Sequence, residues 1–235
     1  MKRRLVFLCC GILFFLAACG SGTPTPAPNL ATATIQPTSL PPTLAAPTPP
    51  PGWSAYNRSA FQIALPNTWQ EVKLDENNLK SAIGNAQNSN PPLAAQLNIL
   101  LQSGQYKSLA FYATEKNQAS IVSNVSVSPL TLSGTNDLSS FAKSYADGLP
   151  DEIRGATVVE TQAPLNINGM NAASFVYNVS IVDNSGNLTT LRGVQFLYLL
   201  NSGNAYLVTM TGDAADADKF TALARNIGAT FVATQ

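Results

Sequence analysis

Val194-Gln195-Phe196-Leu197-Tyr198-Leu199-Leu200 decides how this chain folds. Side chains alternate across a strand, so Val194, Phe196, Tyr198 and Leu200 face one way while Leu197 and Leu199 face the other. Apolar residues on both faces mark a central strand buried on both sides. Helices from different parts of the chain must then cover the two faces. The expected class is α+β, an α/β/α sandwich with a central antiparallel sheet covered by helices on both faces.

The flanking sequence supplies the rest of the sheet. Strands are expected at 156–167, 171–182, 190–200 and 204–211, separated by Asn168-Gly169, Asp183-Asn184-Ser185-Gly186 and Asn201-Ser202-Gly203-Asn204. Asn-Gly and Ser-Gly pairs tolerate the positive φ of tight hairpin turns, so consecutive strands run antiparallel. Further strands are expected at 107–113 and 120–127. Phe61-Gln62-Ile63-Ala64-Leu65 alternates as another, with Pro66-Asn67 turning it into a partner strand from Trp69 to Leu74.

Helical spacing places Leu138, Phe141, Ala142, Tyr145 and Leu149 on one face of a helix over 137–149, which Gly148 and Pro150 are expected to end. A closing helix from Asp213 to about Ile227 turns Phe220, Leu223, Ala224 and Ile227 inward. A third helical region falls in two pieces. Leu79, Ala82, Ile83 and Ala86 mark the first. Asn90-Pro91-Pro92 reads as an N-cap with prolines in the first turn, Leu93, Leu97, Leu100 and Leu101 form the next face, and Gly104 stops it.

The amino terminus has a different logic. Met1-Lys2-Arg3-Arg4 is basic, Leu5 to Leu16 is almost wholly apolar, and Leu16-Ala17-Ala18-Cys19-Gly20 follows. That is a positive n-region, a short h-region and a small-residue cleavage site. The run is shorter than the roughly 20 residues that span a bilayer. With Cys19 straight after Leu-Ala-Ala, the segment resembles a bacterial lipoprotein signal, with Cys19 the lipidated +1 residue; a plain signal peptide or anchor is the alternative. From Gly20 to Gly52 there is no charged residue, and ten of the 16 prolines fall there among Thr, Ala and Ser. Such a segment cannot bury enough apolar surface to fold, and it reads as a polyproline-rich spacer reaching on the order of 100 Å; a proline-rich ligand or an O-glycosylated stalk are the other readings. The expected organisation is a signal over 1–18, a lipidated Cys19 with a tether over 19–52, and one domain over 53–235.

Composition excludes several chemistries. There are 13 basic and 13 acidic residues; without Lys2, Arg3 and Arg4 the basic count is 10, a balance of about −3. No basic patch points to nucleic acid or to anionic lipid. Histidine is absent, which removes the commonest general base and metal ligand. Cys9 and Cys10 lie in the signal, so Cys19 is the only thiol left after cleavage and no intramolecular disulfide forms.

Tyr56 to Trp69, Leu138 to Leu149, Val158 to Tyr177 and Ala205 to Phe231 together resemble the PsbP-like superfamily, named after an extrinsic subunit of photosystem II. The family's opening strand ends in Pro-x-x-Trp, here Pro66-Asn67-Thr68-Trp69. A central helix, a turn glycine (Gly169), an aromatic strand, a final helix and a terminal Phe follow in the family's order. Residues 75–104 exceed the simple family pattern. The resemblance implies an α/β/α fold and a role in binding or assembly, usually without catalysis. Family members that bind metal use His, so no ligand position carries over, and no cofactor is expected.

Candidate chemistry is sparse. Asp213, Asp216 and Asp218 could gather Ca²⁺, but an N-cap and acids in a first helical turn explain them. Asp183-Asn184-Ser185-Gly186-Asn187 has the look of a calcium-loop start without the later Glu of an EF-hand, and reads as a hairpin turn. Asp151-Glu152 is an exposed acidic pair. Ser140-Phe141-Ala142-Lys143 has the spacing of a serine nucleophile and lysine base inside an amphipathic helix, with no partner motif. The sequons at Asn57, Asn124, Asn178 and Asn187 have no use in a bacterium. Trp53, Tyr56 and the 75–104 region are either a recognition surface or core. Two functional expectations follow. One is a non-enzymatic binding or assembly module, held on the outer side of a cell membrane by palmitate-type acylation at Cys19, with an envelope protein or small molecule as partner. The other is a carboxylate-dependent envelope hydrolase using acids such as Glu71, Glu115 or Glu160.

Overall fold

In the computed structural model, residues 47–116, 121–132, 137–182, 188–200 and 203–234 are described. Cys19, most of the tether, and the Asp183–Asn187 and Asn201-Ser202 turns lie outside them. Among the described residues no helix is long and apolar enough to cross a membrane.

Among the described residues, ten strands form two antiparallel sheets. Strands β1 (Trp53–Asn57), β2 (Phe61–Pro66) and β10 (Val232–Ala233) make a small sheet in the order β1-β2-β10. The large sheet contains β3 (Trp69–Glu71), β4 (Phe111–Glu115), β5 (Asn124–Thr131), β6 (Ala156–Ile167), β7 (Met170–Val182), β8 (Leu188–Leu199) and β9 (Asn204–Asp213). Its order is β3-β4-β5-β9-β8-β7-β6. Asn168 (φ 53°) and Gly169 (φ 79°) give the β6–β7 turn the paired positive φ expected of Asn-Gly.

Among the described residues, four α-helices complete the layers: α1 (Glu76–Ser89), α2 (Pro91–Ser103), α3 (Leu138–Glu152) and α4 (Ala217–Gly228). The alternation of β8 holds as read. Val194, Phe196 and Tyr198 enter a core with Val208 and Met210 of β9, which Phe220, Ala224 and Ile227 of α4 and Phe61, Ile63 and Leu65 of β2 cover. Leu197 joins Ala173, Phe175 and Ala205 on the opposite face, beneath Phe141, Ala142 and Tyr145 of α3. Farther along that face, Tyr112 of β4 packs under Leu79, Leu93 and Leu97 of the α1–α2 pair. The architecture is therefore an α/β/α sandwich, with the small sheet sharing one outer layer with α4.

Both pieces of the 75–104 region are capped as the sequence requires. Asp75 accepts from the Asn78 N–H (3.0 Å) and Asn90 from that of Leu93 (3.2 Å), while Gly104 takes the left-handed conformation at φ 71°. This region is core-forming: its apolar residues make a cluster of their own against the sheet. Trp53 and Tyr56 likewise pack against the main core, with the Tyr56 ring 5.3 Å from that of Phe111.

Three expectations are corrected. Trp69 does not return beside Phe61–Leu65; β2 pairs with β1 and β10, and β3 crosses to β4 in the other sheet. Strand β2 is buried along most of its length, with the adjoining β1 on one edge and β10, from the far end of the chain, on the other, so no edge is left for Trp69. The stretch 107–110 is not strand: a 3-10 turn occupies 105–108 before β4 begins. Nor does Pro150 end α3, which runs on to Glu152. Proline forfeits one backbone donor, but the Ile153 N–H still bonds the Leu149 carbonyl at 2.8 Å. Leu149 and Ile153 are buried with Ala156, Tyr177 and Val179, which holds the last turn on the sheet.

A polar cleft at the end of the sheet

Extending the inward series Tyr198, Phe196, Val194 by one step on β8 brings Arg192, and the face changes character there. Cross-strand pairing sets Asn178 of β7 and Gly212 of β9 directly beside Arg192. Gly212 contributes no side chain, and the Phe220 ring takes the space; a Cβ there would lie 2.4 Å from the ring. Phe220 thus forms a wall between the aromatic core and the polar end. Beyond it opens a cleft of about 430 Å³, lined by Asn178, Thr190 and Arg192 from the strands. Asp213, Ala214, Ala215 and Ala217 line it from the link into α4.

Arg192 is only 9% exposed. Among the described residues, its Nε and the Oδ1 of Asn178 are buried without a hydrogen-bond partner, and no carboxylate forms an ion pair with its guanidinium. A buried charge left unpaired is costly, far more so than a buried indole or hydroxyl. Trp69 Nε1 and Thr114 Oγ1, also unpartnered, belong to that cheaper kind. Asp213 has one oxygen engaged: Oδ1 accepts from the Ala215 N–H at 2.9 Å. It caps a 3-10 turn over Ala214–Asp216 that precedes α4, so the expected capping role of Asp213 is met one turn early. Asp216 occupies the N-cap position of α4 without a side-chain capping bond, and Asp218 sits in the first turn.

The other sequence candidates disperse. Among the described residues, no three His, Cys, Asp or Glu side chains gather as a metal site would. Ser140 donates its hydroxyl to Asp137, the N-cap of α3, whose carboxyl is held below its usual range chiefly by that bond. Lys143 is paired with Asp147 at 2.5 Å rather than with Ser140. Glu160 receives Arg225 at 2.7 and 2.8 Å on its two oxygens. Glu71 lies 2.6 Å from Arg58, a charge contact whose N–H direction misses the oxygen, and 3.3 Å from Lys73. Glu115 ends β4, paired across from Trp69. None of Glu71, Glu115 and Glu160 lines the cleft, where Asp213 supplies the carboxylate. Asp151 and Glu152 are exposed at the end of α3. Cys19 and the Asp183–Asn187 turn lie outside the described residues. Sequence reading takes Asn178 only as a sequon and does not single out Arg192 or Thr190; the available signal is a lone charge continuing the apolar face of a central strand.

Fold and cleft together define an antiparallel α/β/α domain with a solvent-open polar cleft at one end of its sheet. No protein-family model and no curated protein sequence matches the chain. Among solved structures, it is similar to cyanobacterial PsbP (CyanoP) from Synechocystis sp. PCC 6803, at 12% identity and TM-score 0.47 over 80% of this chain and 96% of that one. It is also similar to the Ran-binding protein Mog1p of Saccharomyces cerevisiae, at 8% identity and TM-score 0.47 over 77% of this chain and 94% of the other. A protein of unknown function from Pseudomonas aeruginosa aligns at 12% identity and TM-score 0.44, over 77% and 96% of the two chains.

Proposed function

We propose that this chain is a lipid-anchored, extracytoplasmic binding module of PsbP-like type, with no catalytic activity of its own. Cys19 carries the anchor, the proline-rich segment after it sets the domain away from the membrane, and the domain offers the cleft around Arg192 to its ligand. The observation that carries the binding reading is Arg192 itself. A guanidinium keeps its proton throughout the physiological range, so it serves recognition and charge balance rather than proton transfer. Held from solvent and unpaired among the described residues, it is a binding group awaiting a partner. The ion pairs at Glu71 and Glu160, both away from the cleft, remove support from the hydrolase reading. The anchor rests on the run Leu16-Ala17-Ala18-Cys19. Two or three acyl chains at one residue would give the stable attachment that a single chain does not.

The test is metabolic labelling with palmitate in a bacterial host, followed by membrane fractionation. The full chain is expected to take up label and to sediment with membranes; Cys19→Ala is expected to lose both. Label retained by Cys19→Ala would refute the anchor.

A further inference from the structure

The chemistry of the cleft narrows its ligand, an inference that rests on the binding-module reading but not on the anchor. Its lining residues include one cation and one anion, Arg192 and Asp213. A dianionic phosphate would gain one guanidinium and face one carboxylate, a poor match at close range. A monoanionic carboxylate suits a single arginine, whose planar fork fits two carboxylate oxygens. The remaining polar groups ask for something further. Asn178 Oδ1 is buried and unpartnered, and one oxygen of Asp213 is left over from the bond to Ala215. Both accept hydrogen bonds, so the complementary ligand carries a donor beside its carboxylate. Thr190 adds a hydroxyl that can give or accept. The wall from the α4 side is built of Ala214, Ala215 and Ala217, whose small side chains leave about 430 Å³ open, room for a molecule of a few to a dozen heavy atoms.

We propose that this cleft binds a small hydroxy- or amino-carboxylate, with Arg192 holding the carboxylate and Asn178 and Asp213 accepting from the hydroxyl or ammonium group. The start of α4 then closes one side of the site.

The experiment is an amide NMR titration of the full chain, ¹⁵N-labelled and kept in detergent, with lactate, alanine, acetate and inorganic phosphate as separate probes. The amides of Gly212, Ala214, Ala215 and Ala217 are expected to shift saturably with lactate or alanine. Acetate, lacking the donor, should bind about tenfold more weakly, the effect of one buried hydrogen bond. Arg192→Met should abolish the shifts. Asn178→Asp is near-isosteric; it places a carboxylate beside the guanidinium and should abolish them too, with the rest of the spectrum unchanged, so a misfolded Arg192 variant would not decide the matter. Phosphate binding as tightly as lactate, acetate matching lactate and alanine, saturation persisting in both variants, or no response to any probe would each overturn the proposal. Palmitate uptake is read separately, so failure here leaves the anchor standing and failure there leaves the cleft standing.

Discussion

Tyr198 and Arg192 stand on the same face of the same strand, with Val194 and Phe196 between them, and both are buried. Their surroundings are opposite. The Tyr198 ring stacks on Phe231 with centroids 4.6 Å apart, and its hydroxyl donates to the Gly228 carbonyl at 2.7 Å. Beside it, Thr230 receives the Ala64 N–H at 2.9 Å and donates to the Ile227 carbonyl at 2.7 Å, tying α4 to the small sheet. At the Arg192 end a guanidinium nitrogen and an amide oxygen go unmatched while the cleft beside them stays open. One end of the face spends its polar groups on holding layers together. The other, on the proposed function, keeps them for a ligand. Stability and recognition would then be divided along a single strand, and substitutions at the two ends should behave differently.

The largest loss is expected from Phe231→Ala. Phe231 is fully buried and touches the rings of Phe61, Tyr198 and Tyr206. Its truncation should cost about 3–5 kcal/mol in equilibrium urea unfolding. Thr230→Val keeps the shape but strands the Ala64 N–H, and should cost roughly 2 kcal/mol by the same measurement. A pH series sharpens the picture. Burial pushes the Tyr198 hydroxyl well above its ordinary 10.0, and burial raises Tyr112 likewise. Above pH 10 the unfolded phenols lose protons that the folded ones retain, so the native state binds more protons and stability must fall as pH rises. Tyr198→Phe should flatten that alkaline decline and lower stability at neutral pH by about 1 kcal/mol. An unchanged slope in the Phe variant would show that Tyr198 does not titrate as its burial requires.

The run from β6 to β9 is legible because its information is local. Strands β6 to β9 were expected within a few residues of where they lie, since alternation fixes their faces and Asn168-Gly169 fixes a turn. The faces of α3 and α4 followed from helical spacing for the same reason. What failed depends largely on contacts a local turn signal does not carry. One edge of Phe61–Pro66 is taken by the adjoining β1 and the other by β10 at the far end of the chain, and the survival of α3 past Pro150 depends on a pocket formed by β6 and β7. The cleft was hidden for a related reason. Arg192, Asn178 and Asp213 stand on three different strands, and no motif announces them; register sets Asn178 beside Arg192, and the link that follows Gly212 brings in Asp213.

Thermal unfolding of Arg192→Met, set beside wild type with and without saturating lactate, tests the division most directly. A guanidinium held for a ligand contributes nothing to the empty fold, and an apolar side chain of similar length should leave the midpoint equal to wild type or above it. Lactate should raise the wild-type midpoint and leave that of Arg192→Met unmoved. A midpoint that falls as far as that of Thr230→Val, together with a wild type indifferent to lactate, would show that Arg192 belongs to the framework and would contradict the account.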